Sequence, residues 1–462
     1  IGNRREMCYN QTMYRYALKK AIRLLLLAGA LWVTVLCTGC GLQPVDGLLT
    51  LPKLPAEYAL LQQQLDEVLA GGAVYASAES GTSRQAVQQV DLDGDGQDET
   101  VAFFLTAEGA YQAHVFRQKE GVYTKVGVAE GFGSTLKAIY YPACGKNGAR
   151  GLAMCWGFDE NGAYGMTIYT MEQDGMRIIL DMQYADVAIE DVNGDGAEEL
   201  AFAIKDNTTG NFSARAYVCR EKEYYLLFEA PLCVEVKSVN SMVFGQLQDQ
   251  QMALYIDSAA TMGGYVTDLI CYDGHTAVNR TLDPSSGSGS VTWRSSPVYC
   301  TDINGDGVLD VPVGHFYERE SSEIETRCRL DWVDPLASGE SRQVCSTFHN
   351  AAEKWYLMWP EKWSDQICAE RSQNAYMTQT VFYDSGSQQE RVPVLTIWYF
   401  GGDNREAESR IYRGVKTLDS TVSGIYGYTV PEQGERLNTI LSEETVRSLF
   451  HTIEISWKSE DY

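Results

Sequence analysis

The chain has 462 residues, 45% of them apolar, and a formal net charge of −25. That apolar content excludes a disordered chain and is enough for two or three domains with packed cores. The acidic excess argues against binding nucleic acid through its phosphates and fits a solvated surface.

The first element in chain order is an address. From Met13 to Cys40 the sequence MYRYALKKAIRLLLLAGALWVTVLCTGC places Arg15, Lys19, Lys20 and Arg23 before an apolar run from Leu24 to Cys37, then small residues and a Cys. This is the layout of a secretory signal. Its end, Thr38-Gly39-Cys40, resembles the lipobox of bacterial lipoproteins, although Cys37 stands where that family usually has Leu. The resemblance implies that Cys40 is lipidated and becomes the new N-terminus, making 1–40 a signal peptide. Read without cleavage, Leu24 to Leu42 is about long enough to span a bilayer as a signal anchor. Either reading puts the bulk of the chain outside the cytoplasm, tethered to a membrane at the cell surface. A linker follows over 41–84. Within it LPAEYALLQQQLDEVLA, 54–70, sets Leu54, Tyr58, Leu61, Leu65, Val68 and Leu69 on one face of a short helix.

Next come three related stretches, VDLDGDGQDE at 90–99, EDVNGDGAEE at 190–199 and TDINGDGVLD at 301–310. Counted from the first Asp, side-chain oxygens fall at positions 1, 3, 5 and 9. They are Asp91, Asp93, Asp95 and Glu99; Asp191, Asn193, Asp195 and Glu199; and Asp302, Asn304, Asp306 and Asp310. So dense a carboxylate cluster repels itself unless a cation sits among the charges. Hard oxygen donors without His or Cys suit calcium rather than zinc, with a backbone carbonyl from Gln97, Ala197 or Val308 at position 7 completing each set. Glycines at positions 4 and 6 permit the left-handed turns that make alternate side chains converge. An EF-hand loop needs Glu at position 12 and flanking helices. Here position 12 is Ala102, Phe202 or Val313, and each loop runs into a short apolar segment that reads as a buried strand. The expectation is about three bound Ca2+ ions.

The loops are about 100 residues apart, which is long for one repeat. Two further segments, near 142 and 243, have the same loop-then-strand shape without the acids, giving five units of roughly 50 residues. Each unit holds about four short strands, the content of a β-propeller blade; a β-sandwich or a solenoid uses the same strands. The loop pattern D-x-[DN]-G-D-G-x-x-[DE] before an apolar strand resembles the FG-GAP/VCBS-type repeats of calcium-binding propellers, over 85–350. A full FG-GAP tetrapeptide is absent, GFGS at 131–134 being the nearest approach. The expected fold is mainly β: a propeller of five or six blades, six if Gly72 to Val90 and the segment after Asp310 share closing strands. A small α+β domain is expected over 351–462, where KWYLMWPEKW, three apparent strands and LSEETVRSLFHTIEIS faintly resemble the PsbP-like fold.

Twelve Cys are present, and apart from Cys37 and Cys40 in the signal segment none forms a CxxC pair. Cys144 with Cys155 and Cys328 with Cys345 are close enough in sequence for disulfides, and buried free thiols are the alternative. Five His occur, none in a recognisable catalytic frame. Trp355, Trp359 and Trp363 fall at helical spacing, although Pro360 opposes a helix and packing is the favoured role. The composite expectation is a membrane-tethered, calcium-binding propeller acting as a non-enzymatic binding or adhesion module for an extracellular protein or glycan. The alternatives are an extracellular glycan hydrolase or lyase and an accessory subunit of an envelope assembly.

Overall fold

The computed structural model describes residues 56–145, 148–158, 164–173, 175–192, 194–315, 329–363, 367–384, 391–431 and 440–453. The signal and lipobox segment with Cys40, together with Leu54, Asn193 and Cys328, lies outside the described residues. Among the described residues no helix is long and apolar enough to cross a membrane. The chain divides into two units, 1–62 and 63–462, and the second holds every described strand.

The expected helix forms as α1, Ala56–Ala70, with Leu61 and Leu65 buried. Gln64 ties it to the strands by donating from Nε2 to the Tyr123 carbonyl at 2.6 Å.

Six antiparallel sheets follow. The first holds β1 (Val74–Tyr75), β2 (Val87–Val90), β3 (Glu99–Leu105), β4 (Tyr111–Lys119) and β5 (Val122–Glu130), with β1 and β2 both paired to β3. The second is the meander β6 (Thr135–Tyr140), β7 (Leu152–Gly157), β8 (Tyr164–Glu172), β9 (Gly175–Tyr184). The third is β10 (Asp186–Glu190), β11 (Glu199–Lys205), β12 (Phe212–Arg220), β13 (Glu223–Pro231). The fourth is β14 (Val236–Gln246), β15 (Met252–Ala260), β16 (Tyr265–Tyr272), β17 (Ala277–Asn279). The fifth joins β18 (Val311–Gly314), β19 (Arg329–Pro335), β20 (Ser341–Asn350) and β21 (Trp355–Met358) to a strand from the chain's end, β27 (Phe450–Thr452). The sixth runs β22 (Ile367–Gln373), β23 (Thr378–Asp384), β24 (Val392–Gly401), β26 (Gly424–Thr429), β25 (Lys416–Ser420), with α2 (Arg405–Ile411) and α3 (Glu443–Leu449) beside it in sequence.

The second strand of a sheet reads as an unbroken apolar run because both its faces are covered. Side chains alternate along a strand, and the two sets go to different neighbours. On β7, Leu152, Met154 and Trp156 join the core of the first sheet, while Ala153 and Cys155 join that of the third. On β11, Leu200 and Phe202 face the second sheet, and Ala201 and Ala203 the fourth. On β15, Leu254 and Ile256 face the third sheet, and Ala253 and Tyr255 pack with Val311 of the fifth. Phe348, Trp355 and Leu357 of the fifth pack with Phe382 and Leu395 of the sixth. Each sheet thus shares a core with the next, the blade-on-blade order of a β-propeller. The stretch GFGS is a packing site: a Cβ on Gly131 would lie 2.8 Å from the Trp156 ring, and one on Gly133 2.5 Å from the Trp156 Cβ.

Three expectations need correction. The boundary placed at 350/351 runs through the fifth sheet, since β20 turns at Lys354 (φ 55°) directly into β21, which pairs Phe348 with Leu357 and then Leu357 with Phe450. The acidic loops stop before 350, but the sheet array does not. The sixth sheet comes from 367–429, whereas β1 and β2 pair within the first sheet instead of closing on the segment after Asp310. Cys144 faces Cys219 of the third sheet, Sγ to Sγ 2.6 Å, rather than Cys155, which lies in the core between the second and third sheets.

Trp355 lies in a strand and both Trp355 and Trp363 are buried in the fifth–sixth sheet core, with Trp359 edge-on to Trp363 at 5.3 Å. Packing is their role.

Candidate functional site

The first two acidic loops join β2 to β3 and β10 to β11, the third leads into β18, the first strand of the fifth sheet, and all three close with one set of hydrogen bonds. The carboxylate of the first Asp accepts three backbone N–H groups. Asp91 takes those of Gly94 (2.7 Å), Asp95 (3.2 Å) and Gly96 (2.9 Å). Asp191 takes those of Gly194, Asp195 and Gly196 at 2.7, 3.2 and 2.8 Å. Asp302 takes those of Gly305, Asp306 and Gly307 at 2.7, 3.0 and 2.8 Å. The glycines at positions 4 and 6 all have φ between 74° and 88°, the left-handed region that a side chain would strain. At position 5, Asp95, Asp195 and Asp306 accept the N–H of Gln97, Ala197 and Val308 at 2.8, 2.9 and 2.9 Å. At position 9 the acid reaches back to the second residue of the loop: Glu99 to Leu92, Glu199 to Val192 and Asp310 to Ile303, each at 3.0 Å.

These bonds bring only part of the predicted donors together. In the first loop, carboxylate oxygens of Asp91, Asp93 and Glu99 lie within 4.8 Å of one another, whereas among the described residues the acids of the second and third loops form no such cluster. The position-9 acids are buried, and burial raises the carboxyl pKa of Glu99 and Glu199. Asp310 is pushed up to about 8, by burial first and then by the Asp334 carboxyl opposite it. One oxygen of Asp310, Oδ1, is buried with no hydrogen-bond partner. The convergent all-oxygen set of the first loop, and separately the orphaned buried oxygen of the third, suit a hard divalent cation. The two connections that lack the acidic motif close on backbone groups instead. The Cys144 N–H donates to the Ala149 carbonyl and the Leu247 N–H to the Gln251 carbonyl, each at 2.8 Å.

A second feature lies where β6, β10 and β14 meet. They border a cavity of about 550 Å³ lined by Tyr140, Tyr164, Tyr184, Asp186 and Asn240 and by the ion pair Lys137–Glu79, 2.6 Å apart. Tyr164 and Tyr184 stack with ring centres 6.1 Å apart, and burial pushes the Asp186 carboxyl up to about 6. Aromatic faces beside a carboxyl, an amide and an ammonium are the groups that hold a polar ligand such as a sugar. Sequence reading missed this cavity because its lining comes from several sheets.

Three of the histidines serve packing and pairing. His349 and His451 stack on the two faces of Tyr356, with centres 5.0 and 4.8 Å away, and burial lowers the His349 pKa to about 3. His315 pairs through Nδ1 with Asp331 at 2.6 Å.

No protein-family model and no curated protein sequence matches the chain. Solved structures similar to it include the Dos1 propeller, at 9% identity over 77% of this chain and 82% of that one, with a TM-score of 0.27. Sqt1 of Saccharomyces cerevisiae matches at 10% identity over 73% and 85%, with a TM-score of 0.26. TolB from Acinetobacter baumannii matches at 10% over 66% and 62%, with a TM-score of 0.21. At such identities and scores the neighbours carry no argument about function, and the fold reading stands on the sheets themselves.

Proposed function

We propose that the chain is a membrane-tethered, extracytoplasmic binding module whose propeller is stiffened by calcium at three loops and which holds an extracellular protein or glycan without transforming it. The observation that carries the reading is the repetition of one bond network in loops built only from hard oxygen donors. When bound, the ion neutralises the loop carboxylates and fixes the entry to the strand that follows each loop. The chain's own part is to set the donors beforehand: the first Asp orders the turn, and the position-9 acid anchors it to the start of the strand that follows. Ligand capture is assigned to the tyrosine-lined cavity, where Tyr164, Tyr184 and Asn240 offer stacking and hydrogen bonds.

Glycan and extracellular-protein arrays probed in calcium and in chelator test this reading. The expected result is calcium-dependent retention of a ligand without product release, reduced about tenfold or more by Tyr184→Ala, on the usual worth of a stacked aromatic. Turnover of a retained glycan would establish the hydrolase or lyase alternative instead.

A further inference from the structure

The three loops share their internal bonds but differ in what faces position 9 from the neighbouring strand. Thr100 of β3 pairs with Phe116 of β4, so Glu99 lies opposite Arg117. Leu200 pairs with Tyr217, so Glu199 lies opposite Val218. Val311 pairs with Val333, so Asp310 lies opposite Asp334. One structural position therefore holds a cation, an alkyl group and an anion in turn.

The consequences are visible in the contacts. Arg117 donates from Nε to Glu99 at 3.1 Å and from Nη2 to Asp93, so its guanidinium engages two of the carboxylates that a metal ion would use. In the fifth sheet the geometry is opposite. Asp310 and Asp334 are both fully buried, and Oδ1 of each has no hydrogen-bond partner. The remaining oxygens are engaged, Asp310 by the Ile303 N–H at 3.0 Å and Asp334 by Arg342 at 2.6 Å. Two ionised carboxylates facing each other at low dielectric repel strongly, a repulsion that Arg342 offsets at Asp334 and that a cation or a shared proton offsets at Asp310.

We propose that this cross-strand residue grades the three loops as divalent-cation sites, the third strongest and the first weakest. Asp334 adds a carboxylate beside the third site, and Arg117 is a built-in counter-cation that an incoming ion displaces from the first. The proposal rests on the calcium reading of the loops and adds a ranking to it. Neither residue belongs to the loop motif, and neither role is shared by Val218.

Calorimetric titration of the full chain with calcium chloride tests it. Arg117→Gln is expected to tighten the weakest class of site about tenfold or more, and Asp334→Asn to weaken the tightest class by a similar factor, from a unit charge acting on a divalent ion at close range. Arg117→Lys, which keeps the charge, should leave the first site weak, separating charge from packing. Melting each variant in chelator checks that it is folded. Constants unchanged within twofold in both Arg117→Gln and Asp334→Asn overturn the ranking while leaving calcium binding intact. Wild-type protein that takes up no calcium at about 10 mM, well above the weak range for extracellular modules, overturns the underlying reading as well.

A separate observation carries a second inference. Cys144, after β6, and Cys219, on β12, are buried with their sulfurs 2.6 Å apart, so they bring together the second and third sheets. We infer that they form a disulfide during folding where a small-molecule or protein disulfide is the oxidant. One protein thiolate attacks the oxidant and the second displaces the remaining oxidant sulfur. One S–S bond forms in the protein, one breaks in the oxidant, and the two protons leave on its two released thiols. Refolding with oxidised glutathione, alkylation and peptide mass mapping should then find a 144–219 linked peptide, with Cys219 alkylated in Cys144→Ser. Full alkylation of both residues, or a 144–155 link, overturns the assignment.

Discussion

Withdrawing calcium is expected to lower the melting temperature of the full chain by about 5–10 °C. The size follows from linkage. A site with a dissociation constant of about 10⁻⁴ to 10⁻³ M, the range of extracellular modules, contributes about 1.4–2.7 kcal/mol at about 10 mM free ion. A few such sites in a unit of this size shift the midpoint by that many degrees. The loops concentrate the effect because their position-9 acids are anchored in the core: Glu99, Glu199 and Asp310 are buried at the start of the strand that follows each loop or immediately before it. Without the ion, the loop carboxylates repel one another next to strands that hold neighbouring sheets together. Because the sites lie in different sheets, silencing one should remove about a third of the effect if they were equal. Under the ranking proposed above, Asp302→Asn should remove more than Asp91→Asn. Melting curves in calcium and in chelator check this, and coincident curves would contradict it.

The second large effect is expected from Arg294→Leu, at about 3–5 kcal/mol. Arg294 has no exposed surface and donates to Asp257 at 2.7 Å, to the Thr267 hydroxyl at 2.9 Å and to the Val298 carbonyl. Asp257 also accepts the Cys300 N–H at 2.8 Å and the Thr267 hydroxyl at 2.5 Å. Removing the guanidinium leaves a buried, uncompensated carboxylate, which costs far more than the pair contributes. The cluster also positions the third loop, since Cys300 precedes Thr301, whose backbone exchanges hydrogen bonds with Asp310 at 3.3 and 3.0 Å. Adding Asp257→Asn to Arg294→Leu should recover a substantial part of the loss, because the stranded charge is gone. Urea denaturation of the single and double variants measures it. A single-variant cost below about 1 kcal/mol, typical of an exposed pair, would contradict the account.

What the sequence made legible is what is encoded locally. The loop pattern, the left-handed glycines and the buried second strands are each contained within a dozen residues, and all three loops fold as that pattern implies. The units near 142 and 243, which lack the acidic motif, were legible because apolar runs recur at the same spacing. The end of the array was not legible. β27 pairs with β21 across about 90 residues of chain, and nothing in the tripeptide Phe450–Thr452 marks it as the edge of the fifth sheet. The sixth sheet was hidden for a related reason: without an acidic loop, its strands carry no repeat signature, only apolar alternation. Arg117 and Asp334 were out of reach because their pairing with position 9 depends on the length of each hairpin. The Cys144–Cys219 contact depends on the stacking of two sheets, which spacing along the chain does not report.

The most direct measurement of the central claim is calcium titration calorimetry of the wild-type chain beside a variant carrying Asp91→Asn, Asp191→Asn and Asp302→Asn. Each substitution keeps one acceptor oxygen for the loop's backbone while removing the charge at position 1. The account predicts uptake of about three ions by the wild-type chain, in classes of unequal affinity, and loss of that uptake in a variant that remains folded. A wild-type chain that takes up no calcium, or a folded triple variant that binds as the wild type does, would contradict it.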